Sequence, residues 1–193
     1  MAVPPSGDPI TLEVGPWGNG GFCVARHDGM VVFVTHTLPG EVVRAEVTEK
    51  AKRYWRARTV EVLQASPDRV EPVWPEAGPG GVGGCDLGHV APAAARRAKA
   101  EVIASQLAHL GRVEVAVTVE PVGDGSALGW RTSIDLTADG AGRLGMFQAR
   151  SGQVVPLRTM PLAVPAIQDL AGLFEGGFPA HCRVRAVAPS DEP

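Results

Sequence analysis

Aromatic residues are scarce in this chain, 5% of 193, and cysteine is scarcer still, with thiols only at 23, 85 and 182. Three cysteines cannot all pair, and no two stand close enough for a Cys-x-x-Cys site, so neither a disulfide scaffold nor a compact zinc motif is expected. That usage suits a reducing compartment, the cytoplasm. No apolar run approaches the roughly 18 residues of a membrane span. The opening MAVPPSGDP has neither a basic n-region nor an apolar h-region, so no signal peptide and no membrane partner are expected. Charge of one sign is also missing overall: the net value is −3. The balance conceals segregation, because residues 44–58 sum to +4 and residues 91–112 to +3, while the other stretches are acidic.

What the chain does have is 24 Gly and 17 Pro, a composition that favours turns and short strands over a helical bundle. After residues 1–9, expected to be a disordered N-terminus, Ile10–Val14 and Phe22–Arg26 alternate apolar and polar residues. Gly18-Asn19-Gly20-Gly21 lies between them as a turn. Met30–Val34, Val42–Val47 and Ala57–Leu63 continue the pattern, separated by His27-Asp28-Gly29 and Leu38-Pro39-Gly40-Glu41. Five strands within residues 10–66 predict a small closed barrel, since an open sheet of that size leaves two bare edges.

Residues 67–90 are dense in Pro and Gly without periodicity, and read as a linker. Ala91–Leu110 predicts a helix, with Pro92 in the first turn, Ile103, Leu107 and Leu110 at helical spacing and Gly111 as the stop. Beyond it, Val113–Val119, Thr132–Thr137, Arg143–Gln148, Gln153–Leu157 and Cys182–Val187 read as strands, and Val164–Phe174 as a short helix. The fold class is therefore mainly β: a five-stranded OB-like barrel, then an α+β domain over 91–193.

The segment Glu49–Arg58 interleaves Lys50, Lys52, Arg53, Arg56 and Arg58 with Tyr54 and Trp55. Cations neutralise phosphates and aromatic faces stack on unpaired bases, so this mixture suits single-stranded RNA. The competing reading is a solvated hairpin with Trp55 in the core. The five histidines show no metal-ligand spacing with one another or with cysteine.

The stretch GPWGNGGFCVARHDGMVVFVTHTLPGEVVRAEVTEKAKRYWRARTVEVLQASPDRVEP resembles a TRAM domain, an RNA-binding barrel. GGCDLGHV, AAARRAKAEVIASQL, LGWRTSIDL, LGMFQARSGQVVPLRTMPLA and VPAIQDL are similar to the regions that follow it in the class I S-adenosylmethionine-dependent RNA (uracil-5-)-methyltransferases. The resemblance implies RNA, ribosomal or transfer, as the partner, with no role for DNA. It implies contacts from Lys50, Lys52, Arg53, Tyr54, Trp55 and Arg56, and from Arg131 and Arg150 in the central domain. Ser133, Asp135, Gln148 and Gly152 stand where further cations or histidine are common in the family.

Two cofactors follow from the same resemblance. Many members hold an iron–sulfur cluster through four cysteines; here Trp74, Val82 and Met160 stand at three of those places and only Cys85 remains, so no metal is expected. S-adenosylmethionine belongs to a Rossmann-like domain for which this chain shows no motif: the one Gly-rich loop, GPGGVGG at 78–84, lies in the linker without the strand–loop–helix context. The expectation is thus an RNA-recognition portion that binds no cofactor, is inactive alone and ends in a truncated central domain. A stand-alone RNA-binding module, or a protein-interaction module that has lost RNA binding, are the alternatives. Oligomeric state is left open.

Overall fold

A computed structural model of the chain describes residues 8–149 and 151–189. They group into two compact units, one of residues 1–72 with 86–121 and the other of 73–85 with 122–193. These boundaries differ from a barrel, a linker and a central domain in succession: the expected linker is shared between both units, and the helix belongs with the barrel.

In the first unit, β1 (Ile10–Trp17), β2 (Phe22–His27), β3 (Met30–Thr35), β4 (Val42–Lys50) and β5 (Tyr54–Gln64) close a barrel in the order β1-β2-β3-β5-β4. All pairings are antiparallel except β3 with β5, which is parallel and joins Val31 to Tyr54 and Phe33 to Arg56. The period-2 alternation sends one face of every strand inward. Leu12, Cys23, Ala25, Val32, Val34, Val43, Ala45 and Ala57 fill the interior, and Trp55 packs against them from one side. Small side chains dominate because a five-stranded barrel leaves little room between its walls.

Helix α1 (Pro92–Gln106) begins with its proline in the first turn and ends in a single π-type turn, Leu107–Gly111. Arg112, in the left-handed region at φ 53°, stops it rather than Gly111. Only Ala94 and Ala98 of α1 are buried, and Ala94 packs with Leu38 and Val90. The expected strand Val113–Val119 belongs to no sheet among the described residues, and its one main-chain hydrogen bond runs from the Val113 amide back to the Leu107 carbonyl.

The second unit carries an antiparallel sheet of β6 (Ser133–Ala138), β7 (Leu144–Phe147), β8 (Val154–Pro156) and β9 (Arg183–Val187), in the order β8-β7-β6-β9. Its buried face, with Ile134, Leu136, Leu144 and Ala186, packs on Leu157, Met160, Leu162 and Ile167. The expected helix at 164–174 shortens to one turn, α2 (Pro165–Gln168). Residues 73–85 are core-forming and no mere linker: Trp74, Ala77 and Val82 lie within this cluster. Gly81 is required there, because a Cβ would run into the Glu76 carbonyl oxygen.

Candidate nucleic-acid interface

The outer face of β2, β3 and β5 gathers three aromatic rings. Phe33 sits between Val32 and Val34, both fully buried, so strand alternation turns its ring outward. Its centroid lies 4.8 Å from that of Phe22 and 5.3 Å from that of Tyr54. The parallel register places Arg56 opposite Phe33, and its guanidinium lies 5.8 Å from the Phe33 ring centre and 5.5 Å from that of Tyr54. Glu49 steadies the same guanidinium at 3.3 Å. A Cβ on Gly18 would run into the Phe22 ring, so the β1–β2 turn is shaped around this aromatic row.

Tyr54 and Trp55 are thereby separated. Neighbours in a strand face opposite ways, and Trp55 packs on the barrel core, with His27 at 6.0 Å and the Lys50 Nζ 4.7 Å above its ring. The two rings cannot receive one base together. Lys52 and Arg53 occupy the exposed turn between β4 and β5. Arg58 is held by Glu46 at 2.7 Å, so part of the positive charge counted along 44–58 is neutralised within the sheet.

The turn between β3 and β4 and the segment after β5 build a polar cluster that the sequence does not announce. The Glu41 side chain is wholly buried. It accepts hydrogen bonds from Thr37 Oγ1 (3.0 Å), the Leu38 amide (2.9 Å), the Ser66 amide (3.1 Å), and Arg69 Nε (2.6 Å) and Nη2 (2.7 Å). Burial works against the carboxylate, but the Arg69 side chain and the Ser66 and Leu38 amides outweigh it and hold the group below its ordinary value. Arg69 Nη2 also donates to the His36 carbonyl, and His89 Nε2 lies 3.3 Å from the Thr37 carbonyl. Burial pushes the His89 imidazole down to about 4, with Arg69 and His36 adding to the effect, and lowers His36 too. Burial, helped by Glu41, pushes the Cys23 thiol up to about 12, which makes it inert. The three-residue spacing between Glu41 and Leu38 was a legible sign of a side chain capping its own turn; the Arg69 partner, 28 residues on, was not.

In the second unit Arg131 lays its guanidinium 5.0 Å from the ring of the exposed Trp130, and its Nε is buried with no hydrogen-bond acceptor. Asp135, where the resemblance led us to look for a cation, is paired bidentately with Arg185 across the sheet at 2.6 and 3.0 Å. Positive charge on this face comes instead from β9. Arg183 and Arg185 line an open hollow of about 790 Å³ together with Phe147 and Gln148. Arg150, the other expected contact, lies outside the described residues.

Among the described residues, the positions that the resemblance assigns to the two cofactors do not fit them. Trp74, Val82 and Met160 are at most 2% exposed and share one apolar core, against which Cys85 packs; one thiol beside an indole, an isopropyl group and a thioether cannot supply four thiolate ligands. The loop at 78–84 follows a single 3₁₀ turn, Pro75–Ala77, and leads to no helix before Pro92, so the strand–loop–helix of a nucleotide cradle is absent there.

An aromatic row flanked by cations on a small closed barrel is the layout of a nucleic-acid-binding module, and residues 6–60 match the TRAM domain family. The chain therefore carries a TRAM domain. Over 94% of its length it is also 42% identical to a protein of Streptomyces avermitilis described as an uncharacterized RNA methyltransferase, covering 45% of that protein. It is 36% identical to the 23S rRNA (uracil(1939)-C(5))-methyltransferase RlmD of Photorhabdus laumondii, over 76% of this chain and 34% of that one. The Pyrococcus abyssi tRNA (uracil-54, C5)-methyltransferase, solved with S-adenosyl-L-homocysteine, shares the fold at a TM-score of 0.51 and 21% identity, over 80% of this chain and 33% of its own. The resemblance to the TRAM-containing RNA methyltransferases is thus met along nearly the whole chain, which spans less than half the length of these relatives.

Proposed function

We propose that these residues form the RNA-recognition portion of an S-adenosylmethionine-dependent RNA (uracil-5-)-methyltransferase acting on ribosomal or transfer RNA in the cytoplasm. The observation that carries this reading is the row Phe22–Phe33–Tyr54 with Arg56 laid along it. A stacked base adds its π face to Tyr54 or Phe33, Arg56 stacks and neutralises charge, and Lys50, Lys52 and Arg53 follow the backbone at the rim. The second unit contributes Arg131, Phe147 and Arg183. Methyl transfer needs a cofactor-binding domain that residues 8–149 and 151–189 do not supply.

The test is fluorescence anisotropy of the 193-residue chain with a uridine-containing single strand, the same RNA as a duplex, and the matching DNA. Preferential binding of the single-stranded RNA, weakened by Phe33→Ala and Tyr54→Ala, supports the reading. Absence of binding at low salt overturns it in favour of a protein-interaction module. Methyl transfer from S-adenosylmethionine by the chain alone would overturn the division of labour.

A further inference from the structure

Residues opposite one another in a ladder share a face, so the outer side of β2, β3 and β5 is ruled into lines that cross the strands. The pairings set Arg26 against Val31 and Val31 against Tyr54 on one line, Val24 against Phe33 and Phe33 against Arg56 on the next, and Phe22 against Thr35 and Thr35 against Arg58 on the third. The aromatic row is the diagonal of this array. Phe22, Phe33 and Tyr54 fall on successive lines, which is why rings from three strands meet although no two of them are directly paired. The diagonal leaves Arg56 and Arg58 on its β5 flank and Arg26 on its β2 flank.

The two flanks differ in charge. Arg58 is held by Glu46 at 2.7 Å and Arg56 by Glu49 at 3.3 Å, both carboxylates from β4, so the β5 flank is close to neutral. Arg26 is exposed and makes no hydrogen bond, ion pair or ring contact among the described residues. Its nearest carboxylates by sequence and register leave it free: Asp28 lies 3.6 Å from His27 Nε2, and Glu13, next to the Val14 that faces Ala25, pairs with no cation among the described residues. A guanidinium without a counter-ion is open to a phosphate, which takes its fork in two hydrogen bonds. We propose that Arg26 is a phosphate contact of the RNA, and that the sugar–phosphate backbone lies on the β2 flank of the aromatic diagonal, running from Arg26 toward the turn of Lys52 and Arg53, with bases over Tyr54 and Phe33. β2 and β5 stand two strand spacings apart, roughly 10 Å, so Arg26 and that turn grip one strand on either side of the base stacked on Tyr54. This placement rests on the reading of the row as an RNA-stacking surface.

The experiment measures fluorescence anisotropy of the 193-residue chain across a salt series, with a uridine-containing single-stranded RNA and with an abasic strand of the same length. Arg26→Ala should weaken binding of both strands and lower the slope of log K against log salt by about 0.7, one single-strand phosphate contact. Arg26→Lys should restore most of that slope. Arg44→Ala removes an exposed arginine already paired with Glu61 at 3.2 Å, and should leave the slope as it is. Tyr54→Ala should weaken the base-bearing strand alone. Thermal melts of Arg26→Ala should match the parent, since its side chain makes no polar or ring contact among the described residues. If the parent binds RNA and Arg26→Ala keeps the parent's slope, or weakens only the base-bearing strand, the placement of the backbone is overturned while the stacking surface stands; if the parent binds no RNA, both fall.

Discussion

The barrel holds two sets of arginines that look alike in a sequence and differ in what they do. Arg69 is spent inside, its fork closed on the buried Glu41 carboxylate and the His36 carbonyl. Arg56 lies outside along Phe33 and Tyr54, held by the half-exposed Glu49, with its face open to a ligand. In the first pair the carboxylate is wholly buried, the guanidinium is largely so, and both carboxylate oxygens are taken up by donors, so it locks the chain leaving the barrel onto the barrel wall. The second is loosely held and free to exchange Glu49 for a phosphate. Burial, more than residue type, separates structural charge from presented charge.

The sharpest way to break this contrast is Glu41→Ala, which strands Arg69 without its counter-ion. Chemical denaturation should show a loss of roughly 3–5 kcal/mol, the scale for removing one partner of a buried ion pair. Arg56→Ala should leave the midpoint nearly unmoved, and equal losses for the two would erase the distinction.

Acid should reproduce much of the first effect. His89 titrates at about 4 when folded against 6.5 when unfolded, so the unfolded chain binds the extra proton. Stability present above pH 6.5 is therefore lost as pH falls toward 4, by up to roughly 3 kcal/mol. Glu41, lowered by its hydrogen bonds, adds a loss of the same sign below its ordinary value of 4.5. Thermal melts at pH 7, 5.5 and 4.5 follow this. An acid-insensitive melting temperature would mean the cluster is not buried in solution.

On the outer face, Tyr54→Ala should weaken single-stranded RNA binding by about 1–3 kcal/mol, the range for one base–aromatic stack, with little change in folding. Trp55→Ala should do the reverse, since Trp55 packs on the core. The smallest effect belongs to the turn: Lys52→Ala with Arg53→Ala should lower the slope of log K against log salt by about 1.4, two single-strand phosphate contacts. Anisotropy at 50, 100 and 200 mM salt reads it.

The five strands were legible because four of them alternate, the third is a short apolar run, and the turns after the first three carry Gly, Asn or Asp. The cationic turn at Lys52 and Arg53 was legible from charge alone. Phe22 and Phe33 were not seen as part of the site, because what brings them to Tyr54 is the parallel β3–β5 pairing between segments more than 20 residues apart. Their positions one residue out of step with Cys23, Val32 and Val34 were the available sign. Residues 73–85 were misread because a core segment without regular backbone has no period to detect; Trp74 and Val82 earn their burial from the second unit's sheet. Conversely, Val113–Val119 has the period of a strand and pairs with no strand among the described residues, since periodicity reports a side chain's need for cover and is silent on who provides it.

The same closure has a bearing on synthesis. β1 pairs with β4, β3 with β5, and the Glu41 cluster draws in Ser66, Arg69 and finally His89. As the chain leaves the ribosome, three strands must wait for residue 64 before the wall can shut and for residue 89 before it is latched. Until β4 covers β1 and β5 covers β3, the edges of the first three strands stand open, and a pause in translation within those codons would expose the protein when it is most able to pair with a wrong partner.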